Sequence, residues 1–321
     1  MDPLTGGLGP WTPIRISGPP QNPVVEWAVI GAPFAEPFFE QSAHAAMERP
    51  FNLAFARRTP FAALERLADE ESGLEPDGLI FHMSRCGSTL VAQMLARLDA
   101  TIVLSEAQPF EAVLRPYRLT GGDPDGALTV RRLRALAAVL GRPHRNERRL
   151  FLKLHARHVL ELEMFERAFP ATPWIFAFRE PRAVLRSQAR QPGTEVLPGT
   201  IDPPPRGVVP ARDAFDADDY AAQVLAALCE AALARASSPR ARFVAYESLP
   251  DGVERTILPW FGVTPNGAER ERLRAIARAD TKREGAFDAA RDRDPVSEAL
   301  DRLAARRLDD VYARLCARAA P

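Results

Sequence analysis

The residues best suited to chemistry in this sequence are the six at positions 84–89, which read SRCGST. They follow a short apolar run at 78–83 and precede a segment, 91–98, whose apolar residues have helical spacing. A strand that ends in a tight loop at the start of a helix directs several backbone N–H groups at one point, where they and the helix dipole favour an anion. The pattern therefore predicts an anion site; a helix cap beside a solvated arginine is the alternative.

The side chains of this loop add to that prediction. Gly87 lets the backbone approach a bound group closely, Ser88 and Thr89 add hydroxyl donors, and Arg85 brings a permanent cation. Gly87 is followed directly by Ser88, so the lysine of a Walker A loop, GxxxxGK[ST], is missing. No GxGxxG follows a predicted strand. Magnesium-dependent kinase chemistry and dinucleotide-dependent oxidation are therefore disfavoured.

A lone lysine, Lys153, interrupts another apolar run, LFLKLH at 150–155. An ammonium group at the end of a buried strand is unfavourable unless it faces a cleft or an anion. Lys153 is therefore either a second cation at an anionic site or the cap of a surface strand.

The elements that must position these residues alternate between strand and helix patterns. Strand-like segments lie at 23–30, 78–83, 101–104, 148–155, 174–178 and 242–246, and helix-like segments at 60–71, 91–98, 128–140, 158–169, 181–190 and 219–236. Strands that alternate with helices in short units form right-handed crossovers in a mainly parallel sheet. The sequence thus predicts an α/β fold.

Two regions are predicted along the chain. Residues 1–75 form an N-terminal arm, loosely held over about the first 22 residues, and a small accessory region, while residues 76–321 form the main domain. Within that domain the Pro- and Gly-rich stretch 191–213 is either a lid or substrate loop, or a disordered insertion.

The composition disfavours several classes of protein. The 321 residues contain 42 Lys and Arg against 42 Asp and Glu, and this zero net charge argues against a nucleic-acid partner. No apolar stretch approaches the ~18 residues of a membrane helix. The N-terminus lacks the basic start and apolar run of a secretory signal, so we expect a cytoplasmic protein with no membrane partner. Three widely spaced cysteines without a CxxC pair predict neither a disulfide framework nor a zinc site.

The loop SRCGSTL resembles the 5′-phosphosulfate loop of the sulfotransferases that use 3′-phosphoadenosine 5′-phosphosulfate (PAPS), whose common forms read PRSGTTL or PKSGTTW. A second stretch, WIFAFREPRAVLRS, is similar to the family's 3′-phosphate site, in which an arginine at a strand end and a serine eight positions later bind the phosphate. Arg179 and Ser187 match these positions, and Glu180 stands where the family usually has an acid. A planar guanidinium at a strand end is well suited to a phosphate.

Two later segments extend the resemblance, which then spans about residues 78–285. FVAYESLP, at 243–250, resembles the family's YEDL segment, with Tyr246 as the tyrosine near the nucleotide, although a buried structural tyrosine is nearly as good an interpretation. DTKREG, at 280–285, weakly resembles the loop that closes over the nucleotide. The resemblance therefore implies a nucleotide site made of Ser84, Arg85, Cys86, Gly87, Ser88, Thr89, Arg179, Ser187, Tyr246, Thr281, Lys282 and Arg283.

Catalytic residues also follow from the resemblance. Glu106 lies 21 positions after Arg85, and Lys153 lies 26 positions before Arg179, which are the separations of the base, loop arginine, lysine and phosphate arginine in tyrosylprotein sulfotransferases. Glu106 is thus the first candidate for the base, with Arg85 and Lys153 as the cations that stabilise developing charge. A rival base is His155, because KLH resembles the Lys-Thr-His run of the cytosolic sulfotransferases.

The resemblance implies a three-layer α/β/α fold of the P-loop NTPase-like sulfotransferase type. It also implies a transferase that moves a sulfuryl group from PAPS, without a metal, to a hydroxyl or amine of a small molecule or peptide, releasing adenosine 3′,5′-bisphosphate. Two alternatives stay open: a P-loop kinase with a degenerate loop, and a non-catalytic nucleotide-binding protein of the same fold.

Overall fold

The computed structural model describes residues 6–31, 34, 36–120, 123–209, 215–280 and 297–319. The strands are β1 (Thr12–Ser17), β2 (Val24–Ala28), β3 (Arg57–Pro60), β4 (Gly78–His82), β5 (Thr101–Ser105), β6 (Arg149–Lys153), β7 (Trp174–Phe178) and β8 (Ala241–Ala245). The helices are α1 (Phe39–Met47), α2 (Pro50–Ala54), α3 (Phe61–Glu70), α4 (Ser88–Leu95), α5 (Gln108–Thr120), α6 (Ala127–Leu140), α7 (Leu162–Ala168), α8 (Pro181–Arg190), α9 (Ala217–Leu233), α10 (Leu258–Trp260), α11 (Gly267–Asp280), α12 (Glu298–Arg307) and α13 (Asp309–Ala319).

The strands form two sheets. One is antiparallel, in the order β1-β2-β3, and the other has five strands in the order β5-β6-β4-β7-β8. The pairs β5–β6, β4–β7 and β7–β8 are parallel. Every residue of β4 and β7 is buried, as is typical of strands covered on both faces by helices. The predicted α/β fold with a mainly parallel sheet is confirmed.

The described chain forms two compact units. The first comprises residues within 1–78, 99–154 and 163–172, and the second comprises those within 79–98, 155–162 and 173–321. The predicted division at residue 75 stays a prediction. Within the predicted arm, however, Thr12–Ser17 pairs with β2, so this part of the arm is held in a sheet.

In the first unit, α3 packs against α6 and α5 packs against β1. Asp77 fixes the start of β6, because its N–H donates to the carbonyl of Leu150 and its carboxylate accepts from the Leu150 N–H, both at 2.8 Å. Burial raises the pKa of Asp77, although these hydrogen bonds and the charge of Arg149 oppose the shift.

In the second unit, the sheet packs around Trp174, which is fully buried. Its ring makes edge contacts with Phe81 and Phe243, each at 6.0 Å between centroids. The C-terminal helices α12 and α13 pack against α8 and α9. Arg182 on α8 holds them through a two-pronged bond to Asp309, at 2.8 and 3.0 Å.

The predicted segments agree with the structure where a short apolar run defines a strand. The prediction of one helix over 158–169 is corrected, because Ala156–Glu161 is a tight 3₁₀ turn and the α-helix begins at Leu162. Of the predicted loop 191–213, residues 191–209 are described, and they bury Val196, Ile201 and Val208. In the described part of the chain, no helix combines the length and apolarity required to cross a membrane.

Trp174→Ala should lower the free energy of unfolding by about 3–5 kcal/mol, because it leaves a cavity between the strands of the second unit. Urea unfolding followed by far-UV circular dichroism measures the loss. The control is Leu197→Ala, which truncates a side chain that is 42% exposed and should change stability by less than about 0.5 kcal/mol. Equal losses for the two variants would contradict the packing described here.

Candidate functional site

The loop that joins β4 to α4, in the second unit, has an unusual backbone. Ser84 and Arg85 have positive φ angles of 80° and 51°, and Gly87 has a φ of 79°. The left-handed region costs an L-residue about 1–2 kcal/mol. Strain of this kind persists only where the surrounding structure imposes it, and it clusters at ligand sites. Such turns gather successive N–H groups into a concavity that binds anions.

Three buried hydrogen bonds hold the loop. The N–H of Ser84 donates to Nδ1 of His82 at 3.1 Å, and the Ser84 hydroxyl oxygen accepts from Nε2 of Gln188 at 3.1 Å. The Cys86 thiol donates to the carbonyl of Ala177 on β7 at 3.1 Å. The side chains of Ser84 and Cys86 are thus engaged in holding the loop, so they contribute to an anion site mainly through their backbone.

Arg179 follows β7 directly and lies against the same loop. One guanidinium nitrogen donates to the carbonyl of Arg85 at 3.3 Å, and the guanidinium carbon lies 3.9 Å from the centre of the Tyr246 ring. Stacking on an aromatic face orients a guanidinium, whose planar donors suit an anion. The structure therefore brings together Arg85, Arg179 and Tyr246, three of the residues predicted for the nucleotide.

Gly87 is required by its surroundings as well as by its backbone. A Cβ atom at this position would lie 2.8 Å from Cδ1 of Leu249 and 3.2 Å from Cδ2 of Tyr246. Any other residue would therefore push the end of the Leu249 side chain aside and press on the tyrosine ring on which Arg179 stacks. The next two predicted ligands belong to α4: Ser88 is its first residue and is buried, and Thr89 is half-buried.

Helix α8, which follows Arg179, begins with a capped end. The two carboxylate oxygens of Glu180 accept from the N–H groups of Arg182 and Ala183, at 2.9 and 2.7 Å. Glu180 therefore acts as a helix cap, and the predicted phosphate ligands at this position are the Arg179 side chain and, two turns along the helix, the half-buried Ser187.

Sequence reasoning missed Gln188, which is 2% exposed. Its Nε2 donates to Ser84 and to Glu195, both at 3.1 Å, and its Oε1 accepts from the N–H of Gly193 at 2.7 Å. It thus joins the loop at 84–89 to the segment after α8. A polar residue on the otherwise apolar buried face of a predicted amphipathic helix was the signal that could have found it.

Arg85 makes a second link to that segment. Its guanidinium donates to the carbonyl of Gln191 at 2.6 Å. The predicted lid or substrate loop is therefore attached at its first residue to the predicted phosphosulfate arginine.

The first unit holds the candidate catalytic pair. Lys153, the last residue of β6, forms an ion pair with the carboxylate of Glu106, and the N–H of Glu106 donates to the Lys153 carbonyl at 2.7 Å. The Lys153 side chain is 1% exposed, whereas that of Glu106 is 19% exposed. Glu106 has a φ of 55°, a further strained residue at a predicted functional position.

The remaining predicted residues lie elsewhere or outside the description. His155 is half-buried in the second unit, and its ring meets that of His158 edge-on, at 5.3 Å between centroids. Thr281, Lys282 and Arg283 lie outside the described residues. Among the residues that are described, no group of three His, Cys, Asp or Glu side chains is placed to hold a metal ion.

Three groups of the second unit, the side chains of Cys229, Tyr312 and Arg182, have shifted pKa values. Burial, with a contribution from Cys86, raises the pKa of the Cys229 thiol well above its ordinary range, which keeps that thiol protonated. Burial, followed by the charge of Glu247, raises the pKa of Tyr312. The hydrogen bonds that Arg182 donates to the carboxylates of Asp309 and Asp301 raise the pKa of its guanidinium.

No family model matches the chain, and a search of the curated proteins returns no match. Among solved structures, the chain is similar to sulfotransferase STF1 of Mycobacterium tuberculosis H37Rv, with 13% identity, 77% of this chain and 81% of that chain covered, and a TM-score of 0.47. It is also similar to sulfotransferase STF9 of Mycobacterium avium, with 15% identity, 84% and 82% coverage, and a TM-score of 0.46.

A third similar structure is mouse sulfotransferase SULT7A1 complexed with PAP, with 12% identity, 79% of this chain and 92% of that chain covered, and a TM-score of 0.42. Each of these three similar structures is a sulfotransferase by its description. The closer match of spacing to tyrosylprotein sulfotransferases stays a prediction.

Gly87→Ala should destabilise the protein more than Gly199→Ala. Both glycines have a φ near 80°, so each variant loses about 1–2 kcal/mol for an alanine in the left-handed region. Only at position 87 must the new Cβ also displace Leu249 and Tyr246, whereas nothing lies within 4 Å at position 199. Urea unfolding of the two variants measures the difference, and equal losses would show that the loop does not press against Tyr246.

Proposed function

We propose that this protein is a sulfotransferase that uses PAPS as donor and sulfates a hydroxyl or amine of a small molecule or peptide. The observation that carries the proposal is the contact of Arg179 with both the carbonyl of Arg85 and the ring of Tyr246. This contact joins the arginine that follows β7 to the strained loop that follows β4. A ligand with two anionic groups, such as a nucleotide with a 5′-phosphosulfate and a 3′-phosphate, suits an arginine that lies beside a loop able to bind an anion.

The proposal assigns the donor to residues of the second unit on the grounds of their chemistry. The proposed ligands of the phosphosulfate are the backbone N–H groups of the loop at 84–89 and the hydroxyls of Ser88 and Thr89. Arg179 and Ser187 are the proposed ligands of the 3′-phosphate, with Tyr246 orienting the arginine. When bound, PAPS supplies the activated sulfuryl group.

The residues of the first unit supply the proposed acid–base chemistry. The Glu106 carboxylate, the more exposed partner, accepts the proton of the acceptor, and Lys153 provides a positive charge for the oxygens of the transferred group. The chain contains only two lysines, Lys153 and Lys282, among its 42 Lys and Arg residues. A compact ammonium retained at a buried position of so arginine-rich a chain supports a chemical role.

The donor class is tested by calorimetric titration with adenosine 3′,5′-bisphosphate and with ADP. We expect the bisphosphate to bind at least tenfold more tightly, because each charge-assisted hydrogen bond to its 3′-phosphate contributes about 1.5–3 kcal/mol. Arg179→Lys should remove most of this preference, since lysine cannot keep the forked geometry. The control is Arg190→Lys, an exposed position at the end of α8. A preference for ADP with magnesium would instead favour the kinase alternative.

The base is tested by two separate variants, Glu106→Gln and His155→Ala. We expect Glu106→Gln to lower turnover by about 10²–10⁴-fold, the usual contribution of a general base, while bisphosphate binding is retained. His155→Ala should keep most of the activity. Sulfate transfer from labelled donor to a panel of hydroxyl and amine acceptors measures the rates. Loss of turnover in His155→Ala alone would assign the base to the histidine, and full activity in both variants would rule out both residues.

A further inference from the structure

The ammonium of Lys153 has an aromatic neighbour from outside the segment that resembles the sulfotransferases. Its Nζ lies 5.1 Å from the centre of the Phe38 ring. A carboxylate and an aromatic face therefore enclose a lysine whose side chain is 1% exposed. Both interactions hold the amine in place, and the exclusion of water strengthens them.

Phe38 is held firmly by the start of α1. Its N–H donates to Oε1 of Gln41 at 3.3 Å, and its carbonyl accepts from the N–H of Gln41 at 3.2 Å. The first of these bonds is the one that the third helical residue contributes to a capping box, and together they fix the backbone of Phe38 at the start of α1. The position of the Phe38 ring is thus set by local hydrogen bonds as well as by its contact with Lys153.

The same N-terminal region also holds the helix that follows Glu106. The carboxylate of Glu40, on α1, accepts from the N–H of Gln108 at 3.3 Å. The Gln108 amide in turn bonds both backbone groups of Ile16 on β1, at 3.3 and 3.4 Å. Gln108 is the first residue of α5 and lies two positions after Glu106, so α1 and β1 together constrain the backbone beside the candidate base.

We propose that Phe38 is a positioning residue, which holds the Lys153 ammonium against Glu106 and shields the pair from water. The N-terminal region, to which the sequence assigns no role, then supplies a residue that positions the proposed catalytic pair. The inference deepens the proposed function, because it concerns the catalytic pair of that reaction. The contacts of Phe38, Glu40 and Gln108 do not depend on which donor the protein binds.

The test is the rate at which acetic anhydride labels Lys153, read by peptide mass spectrometry in the full-length protein. Phe38→Ala should raise the rate about tenfold, as expected for the loss of a partly desolvated cation–π contact. Phe38→Tyr keeps the aromatic face and should label like the unaltered protein. Lys282, the only other lysine of the chain, serves as the internal reference and should label equally in every variant.

The matched control is Phe51→Ala, which removes an aromatic ring that is 51% exposed, also in the first unit. It should leave the labelling of Lys153 unchanged. If Phe38→Ala does not fold, Phe38→Leu decides, since it keeps the bulk but removes the aromatic face and should raise the rate by a smaller factor.

Three outcomes would overturn the proposal. These are unchanged labelling in a folded Phe38→Ala or Phe38→Leu variant, a rise of the same size in Phe38→Tyr, and an equal rise in Phe51→Ala. The measurement uses no donor. A protein that fails to bind the bisphosphate but labels as expected therefore loses the sulfotransferase proposal and keeps this one.

Discussion

The strained turn between β4 and α4 is the constraint on which the second unit depends. Two L-residues with positive φ, Ser84 and Arg85, are held there because buried groups of His82 and Gln188 satisfy the loop. Strain of this size in an otherwise relaxed strand–helix junction is compatible with a stable protein only if the surrounding contacts outweigh it. The parallel sheet supplies those contacts, because β7 lies beside β4 and places Ala177 where the Cys86 thiol can reach it.

The same loop explains why one helix can serve several purposes. Helix α8 begins immediately after Arg179, is capped by Glu180, presents Ser187 on a half-buried face and sends Gln188 back to Ser84. The segment that follows its last residue is held by two hydrogen bonds. Arg85 donates to the Gln191 carbonyl, and the N–H of Gly193 donates to the Gln188 side chain. An anion bound to the Arg85 guanidinium would therefore compete with the Gln191 carbonyl for the same donors. Binding at the loop would then weaken one of the bonds that hold this segment.

The sequence was sufficient to predict the parallel strands, because each is a short apolar run between polar turns, as Trp174–Phe178 illustrates. It did not predict β1 or β3, since TPIRIS and RRTP are short, partly exposed strands with little apolar content. The positive φ of Glu106 could not be foreseen either, because most non-glycine residues avoid that region and only the packed structure imposes it.

Candidate site residues were predictable where they belong to local motifs and not where long-range packing creates them. Arg179 was singled out by the resemblance of its segment to a family motif and Gly87 by the strand–loop–helix pattern, whereas the bond from Gln188 to Ser84 joins residues 104 positions apart. Phe38 lies in a region that no motif covers, and only the folded first unit brings it to Lys153. Local patterns thus identify the groups that carry charge, and tertiary structure decides which neighbours control them.

Two buried cations of the first unit, Arg142 and Lys153, differ in the partners that they contact. Arg142, also buried, donates to the backbone carbonyls of Trp11 and Val139 and pairs with Glu71, so its planar donors are spread over fixed structural acceptors. Lys153 instead meets one carboxylate and one aromatic face. Replacing a buried ion pair with apolar residues is often neutral or stabilising, so stability alone is a weak reason to retain one. A buried lysine beside a strained glutamate, in a chain with one other lysine, agrees with the chemical role proposed for its ammonium.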